Sequence, residues 1–263
     1  MPRWLAFVLM PLSWLYGLIV SARNYLYKSG IYTRSQFDFP IICVGNITAG
    51  GTGKTPHIEW LITKLSSHYK VAVLSRGYKR KTTGYLLAST ESTTRQIGDE
   101  PYQIKQKFID VPLAVSENRV LGIPALLGDA PETQVVLMDD GFQHLSIKAG
   151  FNIVLCDYNR PYYSDHLLPA GLLRESPKGA ERADVIIVTK CPPDLGLNEQ
   201  RNIITKLKTS THQHVFFSTI VYNEFKPLTQ AAQESAYLPH DGTQPNFHKA
   251  VAMAGIAKAQ PFI

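Results

Sequence analysis

A glycine-rich loop that ends in a lysine and a threonine is the first feature of this sequence that could do chemistry. Residues 41–55 read IICVGNITAGGTGKT, an apolar run followed by glycines and then by helical spacing. Backbone N–H groups in such a loop, ahead of a helix N-terminus, cradle phosphate oxygens. Lys54 would reach the β- and γ-phosphates of a nucleotide, and the Thr55 hydroxyl would hold Mg2+. The usual pattern G-x-x-x-x-G-K-S/T begins with glycine, whereas this chain has Thr48. The predicted nucleotide contacts are Thr48, Ala49, Gly50, Gly51, Thr52, Gly53, Lys54 and Thr55.

Two carboxylates after a second apolar run could complete a metal site. Residues 134–140 read QVVLMDD, which is typical of a buried strand that ends in Asp139 and Asp140. Ligand sites of open α/β sheets lie at the carboxyl ends of the strands. Asp139 and Thr55 could therefore meet around one Mg2+, which prefers carboxylate, phosphate and water oxygens. An acidic turn after an edge strand is the alternative, but the loop and the carboxylates together favour a nucleotide–Mg2+ site.

An acidic pair could supply the acceptor side of a phosphate transfer. Asp99 and Glu100 are adjacent in a Gly-Asp-Glu-Pro segment that we predict to be a loop. One of them could act as a base for an acceptor hydroxyl, although solvated loop carboxylates are an alternative. Thr189-Lys190 is followed by Cys191 and lacks the aspartate with which GTPases read guanine, which disfavours GTP.

Three arginines and a histidine are further candidates. Arg76, Arg119 and Arg174 could clamp phosphates, and each could instead be a surface ion-pair partner. His144 lies past the metal carboxylates in the sequence. That position favours a packing or supporting role for His144 over the role of a general base.

Alternating strand and helix patterns predict how these residues are positioned. Near-continuous apolar strands between helices predict an α/β fold of the P-loop NTPase type, with a mostly parallel sheet and helices on both faces. A hairpin is expected over residues 79–88. Further strands are predicted at residues 71–74, 113–115, 152–157, 184–189, 215–217 and 249–253, and helices at residues 56–65 and 119–127.

The first 36 residues form an apolar and then basic segment. Residues 4–20 carry no charge, and as a helix they would span roughly 26 Å, at the short edge of what crosses a bilayer. Basic residues follow, with no acid before Asp38, which suits the cytoplasmic face of an anionic membrane. We predict a membrane-associated helix that spans the bilayer or lies in its interface. A secretory signal peptide and a buried core helix are the alternatives.

Composition restricts the partners and the compartment. The formal net charge of +6 suggests an anionic partner without choosing among nucleotides, nucleic acids and acidic lipids. The basic residues are scattered and not interleaved with aromatics, so no nucleic-acid partner is predicted. Three widely spaced cysteines give no disulfide framework and fit a reducing compartment. The predicted divisions are residues 1–36, a P-loop core at 37–228, a linker at 229–248 and the start of a smaller lobe at 249–263.

Taken together, these motifs resemble those of the tetraacyldisaccharide 4'-kinases of lipid A synthesis, membrane-associated P-loop kinases of Gram-negative bacteria. The resemblance covers nearly the whole chain, and the family tolerates a small residue at the first glycine position of the loop. It is carried by Pro11-Leu12-Ser13, Val44-Gly45-Asn46, Gly50-Gly51-Thr52-Gly53-Lys54-Thr55-Pro56, Ser75-Arg76-Gly77-Tyr78, Gly98-Asp99-Glu100-Pro101, Asp139-Asp140-Gly141-Phe142-Gln143-His144, Leu168-Pro169-Ala170-Gly171 and Leu173-Arg174-Glu175.

The resemblance implies transfer of the ATP γ-phosphate to the 4'-hydroxyl of a tetraacylated glucosamine disaccharide 1-phosphate. It implies that Lys54 holds phosphates, that Thr55 serves Mg2+ with Asp139 or Asp140, that Glu100 supports the metal site, and that Asp99 is the base. It also implies work at the membrane surface, on the cytoplasmic face of the inner membrane, and it implies no particular protein partner. The expected substrate contacts are Arg76, Tyr78, Arg119, His144, Arg174 and Glu175.

One departure from the family concerns the end of the chain. The family's sequences run well past the point that Gly255-Ile256-Ala257 resembles and contain an Asp-His-His stretch whose histidine pairs with the catalytic aspartate. We therefore interpret this sequence as a truncated form of the kinase. Two other functions stay open at this stage: a membrane-associated regulatory ATPase and an inactive ATP-binding fragment.

Overall fold

One eight-stranded sheet organises residues 3–221, the part of the chain that the computed structural model describes. All neighbouring strands are parallel except the last pair, which is antiparallel at the sheet edge. A two-stranded parallel sheet, β1 (Ser35–Gln36) with β7 (Ile147–Lys148), lies apart from it. Side by side, the eight strands are β10 (His214–Phe217), β9 (Val185–Thr189), β8 (Phe151–Asp157), β2 (Ile41–Gly45), β6 (Val135–Asp139), β3 (Val71–Ser75), β5 (Leu113–Val115) and β4 (Leu86–Leu87).

Helices cover both faces of the sheet, as the alternating pattern predicts. Alternate residues of each buried strand point to opposite faces, so Val73 and Leu74 belong to different apolar clusters. The cluster with Val73 includes residues of α2 (Lys54–Leu65) and α4 (Asp99–Lys107), and the cluster with Leu74 includes residues of α5 (Arg119–Asp129) and α6 (Leu197–Leu207). A short helix, α3 (Thr94–Ile97), precedes α4. The mostly parallel α/β sheet is therefore confirmed.

The first helix, α1 (Arg3–Lys28), is longer than the apolar run that predicts it. By length and composition it could cross a membrane, and only 11% of its apolar window is buried. The buried-core-helix alternative is therefore wrong. The inward stripe of α1 includes Ser13 and Gly17, whereas large apolar side chains on the other sides, such as Trp14 and Leu18, are exposed.

Two local expectations are corrected. The predicted hairpin over residues 79–88 does not form, because Leu86–Leu87 pairs with β5 at the sheet edge and not with the residues before it. The Gly-Asp-Glu-Pro segment is not a loop, since Asp99 and Glu100 form the first turn of α4. The predicted linker and second lobe, residues 229–263, lie outside the described residues.

Candidate functional site

The glycine-rich loop joins β2 to α2 and exposes backbone donors. Gly50 and Gly53 have φ values of 112° and 87°, a left-handed conformation that glycine adopts at little cost. Among the described residues, the N–H groups of Gly50, Gly51 and Gly53 donate to no backbone carbonyl. Unpaired N–H groups at a helix N-terminus are what a phosphate cradle requires.

Side chains at the ends of β8 and β9, or shortly after them, hold the loop from behind. Arg160 donates to the Ala49 carbonyl at 3.0 Å, and the Thr189 hydroxyl donates to the Thr52 carbonyl at 2.9 Å. Lys190 donates to the Gly51 carbonyl and pairs with Asp157. With their carbonyls engaged on this side, the loop residues are fixed in place. Sequence reasoning missed these supports, because they come from strands that follow the loop by more than a hundred residues.

Asn46 is a second support that the sequence reasoning assigned no role. Its side-chain amide donates to the Thr52 hydroxyl at 2.7 Å, and its carbonyl accepts from Gln143 at 2.5 Å. Asn46 thereby links the loop to the turn after β6. Its place directly after β2 was the only available signal.

The two carboxylates after β6 lie beside the loop, as predicted. β6 pairs with both β2 and β3, with Val44 opposite Asp139. One oxygen of Asp139, Oδ2, accepts from the Ser75 hydroxyl at 3.1 Å. The other, Oδ1, is buried and has no hydrogen-bond partner in the described part of the chain. The Asp140 carboxylate lies 3.5 Å from Lys54 and 3.4 Å from Arg174.

The neighbouring carboxylates differ in their proton affinity. Burial, together with the charges of Glu100 and Asp140, raises the pKa of Asp139 to about 6. Burial also acts to raise the pKa of Asp140, but the cations Lys54 and Arg174 outweigh it and hold that pKa below its ordinary value. A cation placed at the unpartnered Asp139 oxygen would oppose the first shift, because it would stabilise the charged carboxylate.

The residues present fit Mg2+. Asp139 offers a buried, unpartnered carboxylate oxygen, and Thr55 lies in the first turn of α2. Within the described residues, no group of three acidic, histidine or cysteine side chains could hold a metal unaided. That agrees with Mg2+, which usually takes one or two carboxylates and completes its shell with phosphates and waters.

Two glycines bring the acidic pair of α4 to the same edge of the sheet. Gly98 has φ 92°, and a Cβ there would lie 2.8 Å from the Tyr78 carbonyl. Gly77 has φ 71°, and a Cβ there would lie 2.9 Å from the Ile97 carbonyl. The segment after β3 therefore packs backbone to backbone against the start of α4. Asp99 and Glu100 are exposed there, and Glu100 is close enough to act on the Asp139 pKa.

The predicted substrate contacts separate by burial. Arg76 and Tyr78 are exposed and Arg174 is half-buried, so all three can reach a ligand. Arg119 is fully buried and donates to the carbonyls of Ser116 and Asp139 at 2.8 and 3.0 Å.

Glu175 is also fully buried and pairs with Arg182 at 2.9 Å. A side chain with no exposed surface cannot contact a substrate. The predicted substrate contacts of Arg119 and Glu175 therefore do not fit the structure, and both side chains brace the site.

His144 lines an open cavity of ≈ 560 Å³ next to the site, together with Thr33, Ser35, Glu117, Asn118, Val120 and Ser146. Burial, and then the charges of Arg119 and Arg76, lower the pKa of His144 to about 4. The imidazole is therefore neutral near pH 7.

The fold and the loop define a P-loop nucleotide-binding α/β protein. Comparison with known sequences narrows this class: the chain belongs to the tetraacyldisaccharide-1-P 4'-kinase family, whose sequence model matches residues 5–263. The resemblance stated from the motifs is thus confirmed.

Related sequences and a solved structure agree with this assignment. The tetraacyldisaccharide 4'-kinase of Flavobacterium johnsoniae is 45% identical over 97% of this chain and 73% of its own length. That of Bacteroides thetaiotaomicron is 49% identical over 85% of this chain and 59% of its own length. The crystal structure of an "apo" form of LpxK from Aquifex aeolicus in complex with ATP has a TM-score of 0.66 and 30% identity, over 85% of each chain. The chain thus spans from 59% to 73% of the length of these two curated relatives.

Proposed function

We propose that the protein of which this chain is part transfers the γ-phosphate of ATP to the 4'-hydroxyl of a tetraacylated glucosamine disaccharide 1-phosphate, with Mg2+, in lipid A synthesis. The family assignment supports this reaction. So does the ATP in the related crystal structure.

One observation carries the proposal: a phosphate loop, a buried carboxylate and an exposed acidic pair converge at one edge of the sheet. Lys54 and Asp139 lie at the ends of neighbouring elements, and Glu100 is near enough to influence Asp139. A nucleotide site with an exposed acid beside it is the arrangement that transfer to a hydroxyl group needs.

Each residue has a role in this reaction. The N–H groups of Gly50, Gly51 and Gly53 and the Lys54 ammonium would hold the β- and γ-phosphates. Asp139, with Thr55 and with support from Asp140 and Glu100, would hold Mg2+, which when bound neutralises charge on the phosphates. Asp99 would accept the proton of the sugar hydroxyl as its oxygen attacks the γ-phosphorus.

The substrate contacts that remain are open to solvent. Arg76, Tyr78 and Arg174 would meet the anionic and sugar parts of the acceptor. His144, neutral in its half-buried position, would support the site without acting as a base.

The apolar face of α1 fits a lipid acceptor. Its exposed side chains include Trp4, Phe7, Trp14 and Leu18, which would enter the interface of a bilayer. We propose that the protein works at the cytoplasmic face of the bacterial inner membrane, where ATP and an acylated substrate meet.

Transfer of labelled phosphate tests the proposal. The chain and its full-length form are incubated in detergent with [γ-32P]ATP, Mg2+ and the disaccharide 1-phosphate. Labelled lipid is expected from the full-length form. ATP turnover stimulated by membranes, with no labelled lipid, would instead indicate a regulatory ATPase. ATP binding by the 263-residue chain without transfer, next to an active full-length form, would identify this chain as an ATP-binding fragment.

A further inference from the structure

A segment of the chain far from the phosphate loop in sequence pairs with it directly. This bridging segment, residues 167–175, forms an antiparallel bridge between Leu173 and Thr48. The Ala49 N–H donates to the Leu172 carbonyl at 2.6 Å, and the Arg174 N–H donates to the Ile47 carbonyl at 2.8 Å. The bridging segment therefore fixes the start of the phosphate loop through backbone hydrogen bonds like those of an antiparallel sheet.

The same segment is bound on its other side by α1. The Tyr16 hydroxyl donates to the Arg174 carbonyl at 2.8 Å, and the Asn24 amide donates to the Glu175 carboxylate at 3.1 Å. The Ser13 hydroxyl, one turn before the buried Gly17, accepts from the Ala170 N–H at 2.9 Å. Three polar side chains on the inward stripe of α1 thus bind one segment.

Arg174 is the residue where the two sets of contacts meet. Its carbonyl accepts from the Tyr16 hydroxyl of α1, and its N–H donates to the Ile47 carbonyl just before the loop. Its guanidinium lies 3.4 Å from Asp140. Asp140 in turn lies 3.5 Å from Lys54. A shift of α1 would therefore be passed to the loop backbone and to the lysine that would hold the phosphates.

Glu175 provides a second route from α1 to the loop. Its carboxylate is fully buried between Asn24, Arg182 and Gln143. Gln143 also donates to the carbonyl of Asn46, whose side chain holds the loop at Thr52. A buried carboxylate needs all its donors, so the loss of the one from α1 disturbs the others.

We propose that Tyr16 and Asn24 are positioning residues for the nucleotide site, through which the membrane-facing helix sets the geometry of the phosphate loop. This inference rests on one part of the proposed function, namely that the phosphate loop binds ATP. It predicts that the two side chains act on nucleotide affinity, although neither is part of the loop. Membrane attachment, which depends on the opposite face of α1, would not need them.

A matched pair of tyrosines on α1 tests the proposal. Tyr16→Phe removes the hydroxyl that binds Arg174, whereas Tyr25→Phe makes the same change on the exposed face, where Tyr25 is 66% exposed. We measure the Kd for a fluorescent ATP analogue, the KM for ATP and for the lipid acceptor, vesicle partitioning and the thermal unfolding midpoint. Asn24→Ala is the second variant, in case Tyr16→Phe is poorly folded.

The expected result is a split between the two substrates. Tyr16→Phe and Asn24→Ala should weaken nucleotide binding by about three- to tenfold, the effect of about one hydrogen bond, and leave the acceptor KM and vesicle partitioning unchanged. Tyr25→Phe should match the parent chain throughout. Nucleotide binding equal to that of Tyr25→Phe, or equal losses for ATP and acceptor that follow a lowered unfolding midpoint, would overturn the proposal.

The binding assay separates this inference from the proposed reaction, because it requires no lipid acceptor. If Tyr16→Phe weakens nucleotide binding relative to Tyr25→Phe but no labelled lipid forms, the lipid kinase proposal fails and the positioning role stands. If the parent chain does not bind the ATP analogue, both proposals fail.

Discussion

Asp139 and Asp140 illustrate how neighbouring residues of one type acquire different properties. Asp139 is buried at the end of β6 with one oxygen unpartnered, and its pKa is raised to about 6. Asp140 has φ 48°, which turns it out of the strand direction toward Lys54 and Arg174. In the described part of the chain, Asp139 thus keeps an oxygen without a partner, while Asp140 is paired with two cationic side chains.

Substitution of Asp99 tests which acid is the base for the acceptor hydroxyl. Asp99→Ala should lower phosphate transfer by about 100- to 10,000-fold, the range for loss of a general base, and leave nucleotide binding largely intact because Asp99 is exposed. Transfer and ATP binding are measured side by side in the full-length form. Glu91→Ala, at another exposed acid, is the control. Transfer that survives in Asp99→Ala would exclude Asp99 as the base.

The lowered pKa of His144 predicts that the stability of the protein depends on pH. Burial, with Arg119 and Arg76, lowers its folded-state pKa from 6.5 to about 4, although Asp140 opposes the shift. Between these two pH values His144 binds a proton in the unfolded chain but not in the folded one. Its contribution to the free energy of unfolding is therefore present above pH 6.5 and is lost as the pH falls toward 4. The loss should be on the order of 1–3 kcal/mol.

Urea unfolding at several pH values measures this effect. The raised pKa of Asp139 acts in the opposite direction over a similar range, so the informative quantity is the difference between parent and His144→Gln. The variant should lose less stability on acidification than the parent. His68→Gln, at an exposed histidine, should behave as the parent does. Parallel pH curves for parent and His144→Gln would contradict the prediction.

At the scale of the element, backbone geometry decides where α4 begins. The acidic pair lies at the sheet edge because Gly98 and Gly77 allow two backbones to touch. Loop residues with side chains would hold the two segments apart. The sequence contained this information as two glycines, but glycines are equally typical of ordinary turns, and the segment was predicted to be a loop.

Gly98→Ala is the corresponding test. A Cβ at φ 92° and 2.8 Å from the Tyr78 carbonyl should lower the free energy of unfolding by about 1–3 kcal/mol and reduce transfer by displacing Asp99. Gly128→Ala is the control, since a Cβ at Gly128 in α5 meets no atom within 4 Å, and its stability should rise by up to about 1 kcal/mol. Denaturant unfolding and the transfer assay measure both. Equal stability for the two variants would show that the close approach is unimportant.

At the scale of the whole molecule, α1 has two faces of different character. Its inward stripe is bonded to the bridging segment, and its outward faces expose large apolar side chains. Such a contiguous apolar surface on a protein marks an interaction site. The bonds to the bridging segment also weigh against the signal-peptide alternative, because cleavage near residue 22 would remove Tyr16 from Arg174.

A charge on the outward face should release the protein from membranes. Leu18, on α1, is 68% exposed, and Leu121, on α5, is 67% exposed, so the same substitution can be compared at equal exposure. Leu18→Asp should lower partitioning into phospholipid vesicles by at least about tenfold, whereas Leu121→Asp should have little effect. Sedimentation with vesicles measures both. Equal partitioning would place the membrane contact elsewhere.

The features that depend on local pattern could be predicted from the sequence alone. The strand–loop–helix order around Lys54, the carboxylates after an apolar strand, the parallel sheet and the apolar first helix all follow from periodicity and residue type, and the structure has each of them. Local patterns suffice there because the chemistry of a phosphate loop resides mostly in its own backbone.

Which charged side chains are exposed at the site could not be predicted without the fold. Arg119 and Arg174 were both predicted to contact phosphates. Arg119 is buried and donates to backbone carbonyls, whereas Arg174 lies beside the Asp140 carboxylate. Burial depends on elements distant in sequence, and so does the pairing of the bridging segment with the phosphate loop. For the same reason, the polar residues of α1 carried no signal until the fold brought Arg174 to Tyr16.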